Sequence, residues 1–236
     1  NTTGGNNVGV GASALSANTT TSNNTAVGWH ALKENSADNN TAFGAYCLDT
    51  NTTGASNVAV GFYAMKANTT ASNNSAFGYS ALRFNTTGAS NTAVGYYALR
   101  ENTIGHDCTA VGYQALDANT EGQYNTAIGS GALSAITTGD RCTAIGHYAL
   151  NANTGTYNTG VGMYALTGNT TAQYNDAFGY QALGGTNTGE YNVSIGSYSM
   201  DANTSGAENV AVGNNALGVN TTGSYNVAVG RGAMDA

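Results

Sequence analysis

The residue types that most often carry catalysis or bind metal are few in this chain, and their spacing keeps them apart. The three histidines, His30, His106 and His147, fall at three different positions of a short repeat and in distant copies of it. We expect no pair of them to share a metal ion, and the acids are too scattered to complete a Ser/His/Asp arrangement. The sequence therefore predicts neither an enzyme nor a cofactor site.

Two further motifs invite a chemical interpretation. Gly160 and Gly162 imitate the start of a dinucleotide-binding fingerprint, but they belong to one copy of the repeat and do not open a helix. Cys47, Cys108 and Cys142 lack the spacing of a zinc site. If each repeat is one coil, the last two lie roughly 9–10 Å apart, whereas a disulfide needs Cα atoms within about 7 Å. We interpret all three cysteines as small buried side chains.

The elements that position these residues are copies of one repeat. Fourteen glycines, each preceded by Val, Ile or Phe, recur between Gly11 and Gly230 in steps of 17 residues with two steps of 16. The consensus is Asn-Thr-Ala-Val-Gly-x-x-Ala-Leu-x-x-Asn-Thr-Thr-Gly-x-x, and its positions are numbered here as columns 1 to 17. Because nothing interrupts this register, we expect a single continuous repeat domain over residues 1–236, part of a longer fibre.

The residues of each column favour β-structure. Columns 2 and 4 hold mostly β-branched or aromatic residues, such as Thr92 and Val94, and the Asn-Thr-Thr-Gly segment supplies turn chemistry. Apolar residues do not recur at helical spacing, and no Asn-Gly dipeptide indicates a hairpin. The sequence predicts an all-β fold: a parallel β-solenoid (β-roll) of about fourteen 17-residue coils.

Stacked columns should hold the coils together. We expect amide ladders at columns 1 and 12, a corner or interior glycine at column 5, and burial of the apolar columns 4 and 9. The predicted ladder residues are Asn24, Asn57, Asn91 and Asn125 in column 1, Asn51, Asn85 and Asn119 in column 12, and Gly28, Gly61, Gly95 and Gly129 in column 5.

All fifteen tyrosines fall in the variable columns 6, 7 and 17. Tyrosine has an apolar body and a polar tip, which suits an interface. These rings either form a surface that contacts a glycan or receptor, or they stack on one another and stiffen the coils. The candidate surface residues in columns 6 and 7 are Trp29, Tyr63, Tyr79, Tyr96, Tyr97, Tyr113, Tyr148, Tyr164 and Tyr180.

Composition narrows the choice of partners. Six basic residues against thirteen acidic ones disfavour a nucleic-acid surface. No stretch approaches the roughly 20 apolar residues that a membrane-spanning helix needs. The small residues of columns 3, 5 and 8 either fill a tight interior or let sister chains pack closely. We expect the chain to associate with itself, as a homotrimer or a filament.

The repeat also resembles that of known fibres. The segments Asn91-Thr-Ala-Val-Gly-Tyr-Tyr-Ala-Leu99 and Asn226-Val-Ala-Val-Gly230 resemble the Asn-x-Val-Ala-Ile-Gly repeats of YadA-like heads in trimeric adhesins. They are closer still to the Thr-Ala-Val-Gly-Tyr-x-Ala-Leu repeats of phage tail fibres, although the adhesin repeats are shorter. The resemblance implies a trimeric structural shaft, extracellular, on a cell surface or on a virion. The alternatives are a glycan- or receptor-binding module, a filament subunit, and an ice-binding solenoid suggested by the threonines of columns 13 and 14.

Overall fold

The computed structural model describes residues 2–235, which form β-strands and turns without a helix. Each strand consists of columns 2 to 4 of one repeat. The chain comprises two compact units, Asn1–Gly122 and Gln123–Ala236. The first unit holds β1 (Val8–Val10), β2 (Thr25–Val27), β3 (Thr41–Phe43), β4 (Val58–Val60), β5 (Ser75–Phe77), β6 (Thr92–Val94) and β7 (Thr109–Val111). The second holds β8 (Thr126–Ile128), β9 (Thr143–Ile145), β10 (Thr159–Val161), β11 (Asp176–Phe178), β12 (Val193–Ile195), β13 (Val210–Val212) and β14 (Val227–Val229).

Within each unit, the strands pair in parallel and in chain order, so that one repeat makes one coil. Identical columns face each other: Thr92–Val94 pairs with Thr109–Val111. The register survives the shorter repeats, since Thr25 still pairs with Thr41 across a step of 16 residues. The missing residue of that repeat lies between Asn35, which keeps its place in column 12, and Asn40 in the next column 1. The prediction of an all-β, parallel β-solenoid is confirmed for each unit.

Columns 6 to 12 form a succession of turns, not a second strand. The N–H of Tyr97 donates to the carbonyl of Tyr79 in the preceding coil (3.1 Å), and the N–H of Leu99 donates to the carbonyl of Ala115 in the following coil (3.0 Å). Both donors have left-handed backbones, with φ of 60° at Tyr97 and 50° at Leu99. That conformation costs roughly 1–2 kcal/mol per residue. Burial of the leucine side chain, worth about 1.5–3 kcal/mol, offsets the strain at column 9.

The interior of each coil is narrow. Between the first and last coils, the alanines of columns 3 and 8 and the leucine or methionine of column 9 are buried, as at Ala93, Ala98 and Leu99. The small residues of columns 3 and 8 therefore fill the interior and do not form a packing face between sister chains. Burial of column 4 was a wrong expectation, because Phe77 and Val94 are exposed. Side chains alternate along a strand, and the inward alanine of column 3 turns its neighbour in column 4 outward.

Candidate functional site

The column 12 asparagines form a buried amide ladder. Nδ2 of Asn85 donates to Oδ1 of Asn68 in the preceding coil (2.9 Å) and to the carbonyl of Gly88 in its own coil (2.9 Å). Oδ1 of Asn85 accepts from Nδ2 of Asn102 in the following coil (2.8 Å). A buried amide without partners is costly, and this arrangement uses both protons and the oxygen. Asn85 therefore joins its coil to both neighbouring coils.

The other predicted members of column 12 lie in the same ladder. Asn51 donates to Oδ1 of Asn35 (2.8 Å), and Asn119 donates to Oδ1 of Asn102 (2.8 Å). Asn119 is the last ladder asparagine of the first unit, and its own buried Oδ1 accepts no hydrogen bond.

The second unit shows how the ladder tolerates a shifted asparagine. Thr186 occupies column 12, yet Asn187 donates to Oδ1 of Asn169 (3.1 Å) and accepts from Nδ2 of Asn203 (2.9 Å). Asn187 therefore continues the ladder from one position further along the chain. Ile136, the other exception in column 12, is fully buried and contributes an apolar side chain.

The column 1 asparagines close each coil. Oδ1 of Asn57 accepts the backbone N–H of Asn74 in the following coil (3.0 Å), while Nδ2 of Asn57 donates to the carbonyl of Ala71 at the corner (2.9 Å). The Asn57 side chain thus joins a strand to a corner and to the next strand. Asn24, Asn91 and Asn125 accept the backbone N–H of the following coil in the same way, at 2.9 Å in each case.

The column 5 glycines follow directly after the strands. Gly95 has a φ of +139°, and a Cβ added there would lie 2.4 Å from the carbonyl oxygen of Gly112 in the next coil. No L-residue fits such a position without displacing the backbone. The same conformation and the same close approach to the next coil recur at Gly28, Gly61 and Gly129.

The cysteines are buried thiols. The Sγ of Cys47 donates to the carbonyl of Gly61 (2.6 Å), and burial raises the pKa of this thiol to about 12. Burial likewise raises the pKa of Cys142 to about 11. The thiolate is the nucleophile and the metal ligand, so both thiols remain in their unreactive form at neutral pH. Among residues 2–235, no three His, Cys, Asp or Glu side chains are placed to hold one metal ion.

In each unit, the outward side chains of columns 2 and 4 form a surface, called here the sheet face, in which column 4 is apolar and column 2 is threonine or valine in most copies. Thr92 and Val94 are its members in β6, and in β5 the side chain of Phe77 is 41% exposed. Clustered exposed apolar side chains are characteristic of interaction sites. Other exposed column 4 members are Val10 and Phe43 in the first unit and Ile128, Ile145, Phe178, Ile195 and Val229 in the second. The sequence analysis did not predict this surface. Side chains alternate along a strand, so an inward alanine at column 3 would have indicated that columns 2 and 4 point outward.

An aromatic row follows columns 6 and 7 in the first unit. The rings of Tyr79 and Tyr96 stack 5.1 Å apart at 11°, and those of Tyr96 and Tyr113 stack 5.5 Å apart at 10°. A hydrogen bond between Tyr96 and Tyr97 raises the pKa of Tyr96 to about 12. Trp29, Tyr79, Tyr96 and Tyr113 are exposed, whereas Tyr63 and Tyr97 are half-buried. The rings therefore stack on one another and still leave part of their surface free.

The rings of columns 6 and 7 are less regular in the second unit. Tyr164 lies 6.0 Å from Tyr148 and 6.4 Å from Tyr180, and only the first pair is nearly parallel. Column 17 holds a better-ordered stack that was not among the candidate surface residues. Tyr174 stacks on Tyr157 at 4.8 Å and on Tyr191 at 4.9 Å, with interplanar angles of 10° and 3°.

The threonine hydroxyls of column 13 are bonded to the backbone. The hydroxyl of Thr86 donates to the carbonyl of Thr103 (2.9 Å), and that of Thr103 donates to the carbonyl of Thr120 (3.0 Å). The hydroxyl protons of these residues therefore join neighbouring coils and do not point at solvent.

Within residues 2–235, no helix has the length and apolar character that crossing a lipid bilayer would require. Comparison with known proteins returned no matching protein-family model and no matching curated protein.

Proposed function

We propose that the chain is a structural fibre segment that assembles with copies of itself, as a homotrimer, through the sheet face. The observation that carries this proposal is the exposure of the column 4 Val, Ile or Phe on nine of the fourteen strands, in both units. Burying such side chains between chains is favourable by about 25 cal/mol for each Å² of apolar surface removed from water.

A second copy of the chain suits this surface better than an unrelated partner. Both columns of the sheet face repeat once per coil, so identical chains aligned in parallel present side chains at the same spacing. The only charged residue in columns 2 and 4 is Asp176. Depletion of charge is typical of the buried centre of an interface. The resemblance to trimeric fibre repeats supports three copies.

The internal bonding supports a mechanical role. Backbone hydrogen bonds join neighbouring coils, and two buried asparagine columns add to them in most coils, as at Asn57 and Asn85. In a repeat protein, stability comes from each coil and its contacts with adjacent coils, so such bonds resist local opening all along the chain. We propose that the segment holds a binding region away from a virion or a cell surface, outside the cell.

A matched pair of variants tests the assembly. Phe77→Asp introduces a charge into the sheet face, whereas Thr53→Asp introduces the same charge at an exposed corner. We expect light scattering to give a mass of three times 23.8 kDa for the unaltered chain and for Thr53→Asp, and a mass near 23.8 kDa for Phe77→Asp. Equal masses for the two variants would contradict assembly through this face.

A further inference from the structure

Four basic residues occupy column 10 in the first unit, and two of them are paired with acids. Nζ of Lys33 lies 2.7 Å from a carboxylate oxygen of Glu34. Nε of Arg100 lies 2.8 Å from Glu101 and 3.2 Å from Asp117. These two cations are therefore neutralised within the chain.

The two cations between them, Lys66 and Arg83, have no carboxylate within 4.0 Å among residues 2–235. Aromatic rings surround them instead. Nζ of Lys66 lies 5.0 Å from the ring centre of Tyr63, and Cζ of Arg83 lies 4.6 Å from Tyr63 and 4.8 Å from Phe84. The buried Nε of Arg83 makes no hydrogen bond. The rings hold both side chains in place, and the positive charges remain available to an anion.

Both cations line one cleft. Its walls are Thr50, Lys66, Ala67, Arg83 and Phe84, and its volume is about 240 Å³. Pockets for drug-sized ligands measure roughly 300–1,000 Å³, so this cleft suits an occupant of about one ring. The cleft therefore combines the exposed aromatic ring of Phe84, the hydroxyl of Thr50 and the positive charges of Lys66 and Arg83.

We propose that this cleft binds a carboxylated sugar, such as a uronic acid unit of an acidic polysaccharide. Lys66 and Arg83 bind the carboxylate, and Phe84 packs against the C–H face of the sugar ring. The hydroxyl of Thr50 donates to the carbonyl of Lys66 (2.8 Å), which leaves its oxygen free to accept from a sugar hydroxyl. An aromatic acid without a hydroxyl group would offer no hydrogen-bond donor to that oxygen. The cleft lies in columns 10 and 11, outside the sheet face, so the inference does not depend on the proposed trimer.

The test uses the full chain and follows binding of D-glucuronate by saturation-transfer NMR, with D-glucose and inorganic phosphate as comparison ligands. We expect glucuronate to bind at least about tenfold more tightly than either, since a charge-assisted hydrogen bond is worth about a factor of ten or more. Binding should weaken in about 1 M NaCl, where the Debye length is about 3 Å. Glucose or phosphate that binds as tightly as glucuronate, or no binding of glucuronate, would overturn the proposal.

Variants locate the site. Lys66→Ala and Arg83→Ala should each weaken glucuronate binding by about tenfold. Arg141→Ala is the matched control, because this guanidinium also lies over rings, 5.2 Å from Tyr124 and 5.5 Å from Tyr157, in the other unit. Unchanged circular dichroism confirms that each variant is folded. Equal loss of binding in Arg83→Ala and Arg141→Ala would place the ligand elsewhere.

Discussion

Replacing one asparagine in the middle of the column 12 ladder should destabilise several coils together. Asn85→Ala removes the two hydrogen bonds that Asn85 donates, to Asn68 and Gly88, and the one that it accepts from Asn102. The carbonyl of Gly88 keeps a second donor, Nδ2 of Asn74 at 3.0 Å. Two buried groups are left without a partner: Oδ1 of Asn68 and one proton of the Asn102 amide.

The magnitude follows from those two groups. Leaving a buried donor or acceptor unsatisfied costs about 1–3 kcal/mol, so Asn85→Ala should lower the free energy of unfolding by roughly 2–6 kcal/mol. The control is Thr87→Ala, two residues away, because Thr87 is exposed and lies outside the ladder. Surface changes of that kind stay within about 0.5 kcal/mol.

Amide hydrogen exchange is the appropriate assay. Repeat proteins do not always unfold in one step, so a single unfolding midpoint would average over coils. Exchange read by mass spectrometry reports opening locally. Asn85→Ala should speed exchange in its own coil and in the adjacent coils, which contain Asn68 and Asn102. Equal protection in Asn85→Ala and Thr87→Ala would refute the claim that the ladder joins the coils.

Two further predictions concern column 5 and the buried thiols. Gly95→Ala should lower the free energy of unfolding by at least about 3 kcal/mol, because backbone strain alone costs about 1–3 kcal/mol and the new Cβ collides with the carbonyl of Gly112. A thermal unfolding midpoint near that of the unaltered chain would contradict this prediction. Cys47 should resist alkylation at pH 8 until the chain unfolds, since burial raises the pKa of its thiol from 9.0 to about 12. The folded state holds this proton more tightly than the unfolded state, so the free energy of unfolding should fall as pH rises from about 9 toward 12. In urea titrations at several pH values, Cys47→Ala should show a weaker dependence on pH.

The strands and their register could be predicted from the sequence because the repeat marks them in every copy. Column 5 must be glycine, and the strand always precedes it, so the position of Gly95 locates β6 and the spacing aligns β6 with β7. The register also holds across the 16-residue repeats, as at Thr25 and Thr41.

The side of the strand that lies inside the coil was predicted less well. Column 4 is always Val, Ile or Phe, and an apolar type suggests burial, but much of a folded protein's surface is apolar. The deciding factor is the size of the interior, which accepts only alanine at Ala93 and Ala98 beside Leu99. The larger side chain of Val94 is left on the outer side.

Backbone conformation in the turns could not be predicted from residue type. Leucine rarely adopts a left-handed conformation, yet Leu99 has a φ of 50° because its N–H must reach the next coil while its side chain fills the interior. The continuation of the ladder at Asn187 was equally hidden, since Thr186 occupies the expected position. At Leu99 and at Asn187, hydrogen bonds between stacked coils decide the conformation, and the preference of the single residue or position does not.

Hydroxyl-radical footprinting of the assembled protein tests the central claim, that the sheet face is the surface buried between chains. Phe77 and Tyr79 are aromatic, two residues apart and almost equally exposed in the single chain, at 41% and 40%, but only Phe77 lies in the sheet face. We expect the ratio of Phe77 to Tyr79 modification to be several-fold lower in the unaltered protein than in Val94→Asp, whose sheet face carries a charge. The same ratio in both proteins would show that Phe77 stays exposed and would contradict assembly through this face.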